Sequence, residues 1–147
     1  MDVDLISVQA FPFLSSDEIS RLLPAVHPIS VQKGGELFHA GDAADGVFFL
    51  EKGRLAVLQR TGFNDRTQVI ALLEPGAPVG EGGGAGGSLR SATIIAIEDS
   101  VLYHLDCNNL VILGDQEPQI LMKLLKRLLF VSNLRLQKCS ERLAHVL

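Results

Sequence analysis

The chain has 147 residues, of which 47% are apolar and 20% charged, with two cysteines and no tryptophan. A chain of about 150 residues buries ~70% of its unfolded surface, so we expect one core without a disulfide framework or a metal. The 13 basic and 17 acidic residues, net −4, argue against a general nucleic-acid binder. The terminus Met1–Asp4 is acidic and no apolar run approaches the ~20 residues of a membrane span. We therefore expect a cytoplasmic protein that does not insert into a membrane.

Charge and glycine divide the chain into two parts. Residues 1–116 carry 7 basic and 15 acidic groups and all 14 glycines. Residues 117–147 carry 6 basic and 2 acidic groups and no glycine. Because glycine marks turns, this contrast predicts a β-rich body followed by a long helix.

The body begins with a short helix and continues with strands. Ser15 and Glu18 have the spacing of a capping box, and the helix that they begin is expected to end near Pro24. From Pro28 onwards, short apolar stretches alternate with turns that contain glycine or proline. Strands are predicted near residues 29–32, 36–40, 47–51, 54–60, 67–73, 77–80, 91–97 and 100–106. Many short strands of this kind predict a β-sandwich or barrel.

The tail is predicted to be helical. Residues 107–113 are expected to form one or two turns, and Pro118 fits the first turn of a terminal helix. A seam recurs along that helix in steps of three and four, through Met122, Leu125, Leu129, Ser132, Leu136, Cys139, Leu143 and Val146. A second stripe, Leu121, Leu124, Leu128 and Val131, covers only the first half. We expect the early half to pack on the body and the seam to form a homodimer. The alternative is a helix that lies along its own body.

A segment between two predicted strands, residues 79–92, combines groups suited to a sugar phosphate. Arg90 offers the forked donor that suits a phosphate, and Ser91 places a hydroxyl beside it. The intervening glycines can present backbone N–H groups to an anion. Glu81 would repel a phosphate but can accept a hydrogen bond from a sugar hydroxyl. The alternative is a surface loop with an Arg–Glu pair.

These residues resemble the cyclic nucleotide-binding domain of the catabolite activator protein and protein kinase A regulatory subunit superfamily. The resemblance runs from Phe11 to the end of the chain. Its motifs are Phe38–Leu50, Gly53, Leu73–Gly76, Gly80-Glu81, Arg90–Ala92 and Glu117–Met122. It implies a mainly β fold, a double-stranded β-helix or jelly-roll-like β-roll, with a short N-terminal and a long C-terminal helix. A single domain 1–147 would then comprise an N-terminal helical segment 1–27, a β-roll 28–106 and C-terminal helices 107–147.

The resemblance also implies a site for cAMP or cGMP. Arg90 and Ser91 would hold the cyclic phosphate, and Glu81 would bind the ribose 2′-hydroxyl. The long helix would cap the base, with Arg135 and Leu136 at the position where relatives place a base-contacting stretch. The complete predicted ligand-binding set is Gly80, Glu81, Gly82, Gly83, Arg90, Ser91, Ala92 and Arg135.

The sequence departs from this family within the phosphate-binding cassette. Relatives have a short turn with apolar side chains after the Glu, whereas this chain has glycines and one alanine over residues 82–87. Each glycine costs ~1 kcal/mol relative to alanine in a helix, so the turn is expected to be largely unformed without ligand. Binding would then be weakened or lost. The alternative function is a degenerate fold that serves as a dimerisation or docking module of a larger protein.

Other functions find little support in the sequence. No metal site is expected, because His104 and Cys107 lack a second pair nearby and a zinc site needs four ligands. No catalytic residues are expected, since no His-x-His or Ser–His–Asp arrangement is apparent. The chain ends within or just past the terminal helix, so we expect no DNA binding by a helix-turn-helix domain. A fused or upstream effector domain is expected instead, as in relatives attached to larger proteins.

Overall fold

The computed structural model describes residues 8–62 and 66–146, and for residues 84 and 85 the backbone alone. The acidic terminus Met1–Asp4 and part of the predicted turn at 61–65 lie outside the described residues. The elements in chain order are α1 (Ser16–Leu22), a 3₁₀ turn (Leu23–Ala25), β1 (His27–Val31), β2 (Glu36–Phe38), β3 (Val47–Lys52), β4 (Leu55–Arg60), β5 (Thr67–Leu73), β6 (Pro78–Val79), a second 3₁₀ helix (Glu81–Ala85), β7 (Thr93–Ala96), β8 (Ser100–Leu105), α2 (Cys107–Gln116) and α3 (Pro118–Val146).

Two antiparallel four-stranded sheets form the body. Their strand orders are β1-β8-β3-β6 and β2-β7-β4-β5. Each of the eight predicted strands has a counterpart, which confirms a mainly β fold with a short N-terminal and a long C-terminal helix. β1 begins before Pro28, earlier than predicted, and is an edge strand paired only with β8. An edge strand tolerates proline because one side of it makes no ladder bonds.

The helices begin where the sequence predicts. The Ser15 hydroxyl accepts from the Glu18 N–H, and the Glu18 carboxylate accepts from the Ser15 N–H, so the predicted capping box is present. α3 begins at Pro118. α2 runs to Gln116 rather than 113, and it is capped by Asp106, whose side chain accepts from the Asn109 N–H. The cap stabilises the predicted start of the helix, and the additional residues lie at its C-terminal end.

Two apolar clusters meet at β3. Phe48 and Leu50 point between the sheets, into a cluster with Leu55 and Leu102. Val47 and Phe49 point to the opposite face, where the helices and the N-terminal segment pack. Because successive side chains of a strand face opposite ways, a strand covered on both sides is a continuous apolar run. β3 is therefore buried on both faces and contributes to both clusters.

The terminal helix is buried only in its first half. Ile120, Leu124 and Leu128 pack in the cluster beneath the helices. Leu124 and Leu128 belong to the stripe predicted to face the body, whereas Ile120 was not included in it. The apolar seam residues remain exposed, for example Leu129 at 73% and Leu136 at 65%. Across the described residues, none of the helices combines the length and apolarity that a membrane span requires.

Candidate functional site

Arg90 is held by a short pairing between two loops. Its backbone N–H donates to Asp42 O, and Gly41 N–H donates to Arg90 O, both at 2.8 Å. An isolated bridge joins Ala43 to Leu89 immediately before it. Residues 88–90 are therefore paired with the loop before β3, and β7 begins only at Thr93 rather than at the predicted residue 91. This pairing fixes the position from which the Arg90 side chain enters the body.

The Arg90 side chain points inward and is 7% exposed. Its guanidinium carbon lies 4.3 Å from the centroid of the Phe38 ring and 5.6 Å from that of Phe48. Nη1 donates to Gly80 O at 3.1 Å, and Nη2 makes a longer contact of 3.5 Å with Asp45 O. The aromatic faces and carbonyls together orient the guanidinium plane.

This buried cation lacks a close anion. No carboxylate among the described residues forms an ion pair with Arg90. Burial lowers the pKa of Arg90 from its ordinary value, while the more distant Asp45 and Asp42 carboxylates oppose that shift. A guanidinium stays protonated in proteins, so a positive charge with spare donors is retained inside the body. Buried charges are normally paired, and an anionic ligand would supply the missing partner.

The glycines around Arg90 make room for it. A Cβ at Gly80 would lie 2.5 Å from Arg90 Nη1, and a Cβ at Gly83 would lie 2.5 Å from both that atom and Gly46 O. Gly80 also has φ of +69°, in the left-handed region that favours glycine. These two positions therefore need glycine for the guanidinium to occupy its place.

The turn that follows Gly80 is a regular helical turn despite its glycine content. Residues 81–85 make a 3₁₀ helix, with Gly83 N–H donating to Gly80 O at 3.0 Å and Gly86 N–H to Gly83 O at 3.2 Å. The Gly83 carbonyl also accepts from Gly46 N–H at 3.0 Å and from Cys107 Sγ at 3.4 Å. These backbone bonds replace the apolar anchors that the sequence lacks.

Glu81 is joined to the terminal helix. Arg135 Nη1 donates to Glu81 Oε1 at 2.6 Å, and Arg135 Nη2 donates to Pro78 O at 2.9 Å. The side chains of the pair are 33% exposed for Arg135 and 23% for Glu81. An ion pair of this exposure contributes ~0.2–1 kcal/mol, so the carboxylate remains available to a competing donor.

All eight residues of the predicted ligand-binding set line one cavity of about 810 Å³. The cavity lies between the second sheet, the glycine turn and the later half of α3. Sequence reasoning omitted some of its lining, including Phe38, Gln59, Lys138 and Arg142. The position of Arg135 could have identified Lys138 and Arg142, because residues three and seven positions further along a helix share its face. Leu136, expected opposite a base, points away and does not line the cavity.

A polar group beneath the turn supports the site. The Cys107 N–H donates to Asp45 Oδ1 at 3.0 Å, which lowers the pKa of that carboxyl. His104 stacks on Phe48 at 4.2 Å between centroids, and its Nε2 donates to Asp45 O at 2.6 Å. Burial raises the pKa of the Cys107 thiol, so it is not activated as a thiolate. Within residues 8–62 and 66–146, no group of three or more His, Cys, Asp or Glu could hold a metal ion.

The chain is a β-roll with a cavity beside its glycine turn, and comparison with known proteins gives its family. The family model described as cyclic nucleotide-binding domain matches residues 28–116. The chain therefore belongs to the cyclic nucleotide-binding domain family, as its motifs predict.

Individual relatives agree with this membership. An uncharacterized protein of Mycobacterium tuberculosis is 37% identical over 106 residues, which are 72% of this chain and 18% of that protein. The human cGMP-dependent protein kinase 2 is 31% identical over 95 residues, 65% of this chain and 12% of the kinase. A crystal structure of a cyclic nucleotide-binding domain from Methylobacillus flagellatus has a TM-score of 0.81 at 24% identity, covering 94% of this chain and 77% of that one. The chain thus spans less than a fifth of the curated relatives it matches.

Proposed function

We propose that this domain is a regulatory, non-catalytic sensor that binds a cyclic nucleotide, cAMP or cGMP, and signals through α3. The observation that carries the proposal is the buried Arg90 guanidinium, which faces a cavity without a carboxylate partner among the described residues. A cyclic phosphate would supply the missing negative charge. A hydrogen bond to a charged group contributes ~1.5–3 kcal/mol, which is roughly a fifth to a third of the ~8 kcal/mol binding free energy of a micromolar ligand.

The remaining predicted residues surround that phosphate position. Ser91 is exposed at the cavity and can donate its hydroxyl to the phosphate. Glu81 faces the same cavity and can accept from the ribose 2′-hydroxyl. Gly83 N–H is already bound to Gly80 O, so the amides of Glu81 and Gly82 are better placed to complete the cradle.

The Glu81–Arg135 pair gives a route for the signal. A ribose hydroxyl that approaches Glu81 must share or displace Arg135, whose other donor is on Pro78 O. Ligand binding would therefore alter a contact between the glycine turn and the later half of α3. Since a ligand shifts an equilibrium only through differential affinity, this contact is where the two states would differ.

Dimerisation through α3 is the second part of the proposal. The exposed seam residues lie along one side of the helix, and their own body leaves them uncovered. Six apolar side chains at heptad spacing favour pairing with a second copy of the helix. An effector domain in a longer protein would receive the signal, in the cytoplasm and without DNA binding by this domain.

The alternative of a ligand-free docking module has one observation in its favour, the glycine run. The formed turn and the inward Arg90 oppose it. Burying a cation without an anionic partner is energetically costly, so a fold that no longer binds an anion would not be expected to retain one. The two functions differ in whether nucleotide stabilises the folded state. A ligand that binds only the folded form raises the melting temperature once its concentration exceeds the dissociation constant.

The test is isothermal titration with cAMP and cGMP, alongside thermal unfolding at millimolar nucleotide. Arg90→Ala is expected to weaken binding ~10- to 100-fold. Arg90→Lys keeps the charge and guards against misfolding, and it is expected to weaken binding by a similar factor because a lysine lacks the fork. Arg54→Gln removes a cation paired with Glu74 outside the cavity and is the matched control. Equal affinity in the wild type and both Arg90 variants, or no thermal shift, would reject the proposal.

A further inference from the structure

The Asp45 carbonyl beside Arg90 is contacted by two side chains. His104 Nε2 donates to it at 2.6 Å, whereas Arg90 Nη2 approaches it only to 3.5 Å. Because a carbonyl oxygen can only accept, the His104 Nε2 atom carries a hydrogen in this contact. The histidine bond is short, and the arginine contact lies at the outer limit of a hydrogen bond. His104 is therefore the principal partner of this carbonyl.

His104 also supports one of the rings beside the Arg90 guanidinium. It lies on β8 directly across from Phe48 on β3, and the two rings stack with their centroids 4.2 Å apart and their planes at 12°. The Phe48 centroid in turn lies 5.6 Å from the guanidinium carbon of Arg90. One side chain on β8 thus contacts two of the groups that surround the guanidinium, the Asp45 carbonyl and the Phe48 ring.

The peptide group that joins Asp45 to Gly46 is held on both sides. Its N–H, that of Gly46, donates to Gly83 O in the glycine turn at 3.0 Å, and its carbonyl accepts from His104. A trans peptide group is planar, with its N–H and carbonyl pointing in opposite directions, so these two bonds fix the rotation of the plane. The Asp45 side chain gives a third attachment, because its Oδ1 accepts from the first N–H of α2 at 3.0 Å. The histidine bond is the one that sets the direction of the carbonyl.

We infer that His104 is a positioning residue for nucleotide binding, which engages the Asp45 carbonyl and so leaves the Arg90 fork directed at the cyclic phosphate. This inference rests on the proposed function, because it assigns Arg90 to the phosphate. Arg90 Nη1 is already oriented by its bond to Gly80 O at 3.1 Å. Without the histidine donor, the Asp45 carbonyl accepts from Nη2 at an ordinary distance, and the fork turns toward the protein. The phosphate then loses part of a contact that depends on both arms of the fork.

The test separates the donor of His104 from its ring, by titration calorimetry with cAMP and cGMP. His104→Gln and His104→Met have similar lengths and both lose the stacked ring, but only glutamine can donate to the Asp45 carbonyl. We expect His104→Met to bind ~10-fold more weakly than the wild type, and His104→Gln to stay within about threefold of it. His104→Phe keeps a ring against Phe48 without the donor and should resemble His104→Met. The control is His145→Gln, which lies exposed near the end of α3 outside the cavity and should bind as the wild type does.

A double-mutant cycle shows whether His104 acts through Arg90. Once Arg90→Ala has removed the guanidinium, adding His104→Met is expected to weaken binding by less than about twofold, because the fork that the histidine positions is gone. A full ~10-fold loss in that background would mean that His104 supports the domain generally, and it would overturn the inference. Equal affinities of His104→Gln and His104→Met would overturn it as well. Both results would leave the proposed function standing, whereas a wild type that binds neither nucleotide would overturn both proposals.

A measurement on the wild type does not depend on whether a variant folds. The hydrogen on His104 Nε2 is expected to give an NMR signal protected from exchange with solvent, and that protection should persist when nucleotide is bound. Thermal unfolding without ligand identifies variants that do not fold, and His104→Phe replaces His104→Met in the comparison and the cycle if needed. Loss of the protected signal on nucleotide binding would show that the bound state does not use this contact, and the inference would be wrong.

Discussion

The close packing of Gly83 gives a sharp test of the cassette. An alanine Cβ there would lie 2.5 Å from both Gly46 O and Arg90 Nη1. The Arg90 side chain can move, but Gly46 belongs to the backbone and its N–H is bound to Gly83 O. Relieving the contact therefore strains or breaks that hydrogen bond. Overpacking of this kind costs ~1–3 kcal/mol.

Gly82 provides the matched control one residue away. A Cβ at Gly82 meets nothing within 4 Å, so Gly82→Ala adds the same methyl group to the same turn without a collision. Alanine in place of a helical glycine contributes ~0.5–1 kcal/mol by reducing the freedom of the unfolded chain. Both variants gain that term, so the collision alone separates Gly83→Ala from Gly82→Ala.

The expected difference in unfolding free energy between the two variants is about 2 kcal/mol, with Gly83→Ala the less stable. In a domain of this size that corresponds to a difference of ~4–8 °C in melting temperature. Urea denaturation monitored by circular dichroism measures it directly. Because Arg90 must also move, Gly83→Ala is expected to weaken nucleotide binding at least ~10-fold. Equal stability of the two variants would show that the turn does not pack on Gly46 and Arg90 as the structure has it.

Three further predictions concern α3 and its contacts. Leu136→Lys is expected to convert dimers to monomers in light scattering, because it places a charge in the exposed seam. The control Gln137→Lys lies beside the seam and should keep the mass of the wild type. An unchanged mass in Leu136→Lys would contradict pairing by the seam. Arg135→Gln is expected to abolish the ligand-induced change in hydrogen exchange of α3. It should alter nucleotide affinity by less than ~5-fold, because the lost ion pair contributes ~0.2–1 kcal/mol. If the change in hydrogen exchange persists in this variant, the Glu81–Arg135 pair is not part of the signalling route. The Lys123 ammonium and the Ser15 N–H lower the pKa of Glu18 from 4.5 to about 2, so the stability from this carboxylate is present above pH 4.5 and lost as the pH falls toward 2. Glu18→Gln should flatten the acid limb of a stability profile in that window, and an identical limb would refute the assignment.

The fold was predictable because its signals are local. Most strands are short apolar stretches bounded by turns that contain glycine or proline, and each α-helix start has a side-chain or proline signal next to it in sequence. The errors lie where tertiary contacts override these signals. The sequence pattern predicts a strand from residue 91, but residues 88–90 pair with residues 41–44 and β7 begins only at Thr93.

The chemistry of the site was only partly predictable, for a related reason. Arg90, Ser91 and Glu81 stand in a recognisable local motif, so they could be named from the sequence. The ion pair between Glu81 and Arg135 joins residues 54 positions apart, and no local pattern indicates that the two will meet. The stacking of Arg90 on Phe38 is equally non-local, because it depends on how β2 lies against the cassette.

The glycine run illustrates what composition leaves out. Counted as helix residues, its glycines predict a turn that is largely unformed without ligand, and hence a weakened or lost site. Their individual surroundings show which of them the packing requires. Gly83 is needed because a buried guanidinium and a carbonyl occupy the space where its Cβ would be, whereas Gly82 faces open cavity. The backbone hydrogen bonds from Gly46, Gly83 and Gly86 hold the turn in place of apolar side chains.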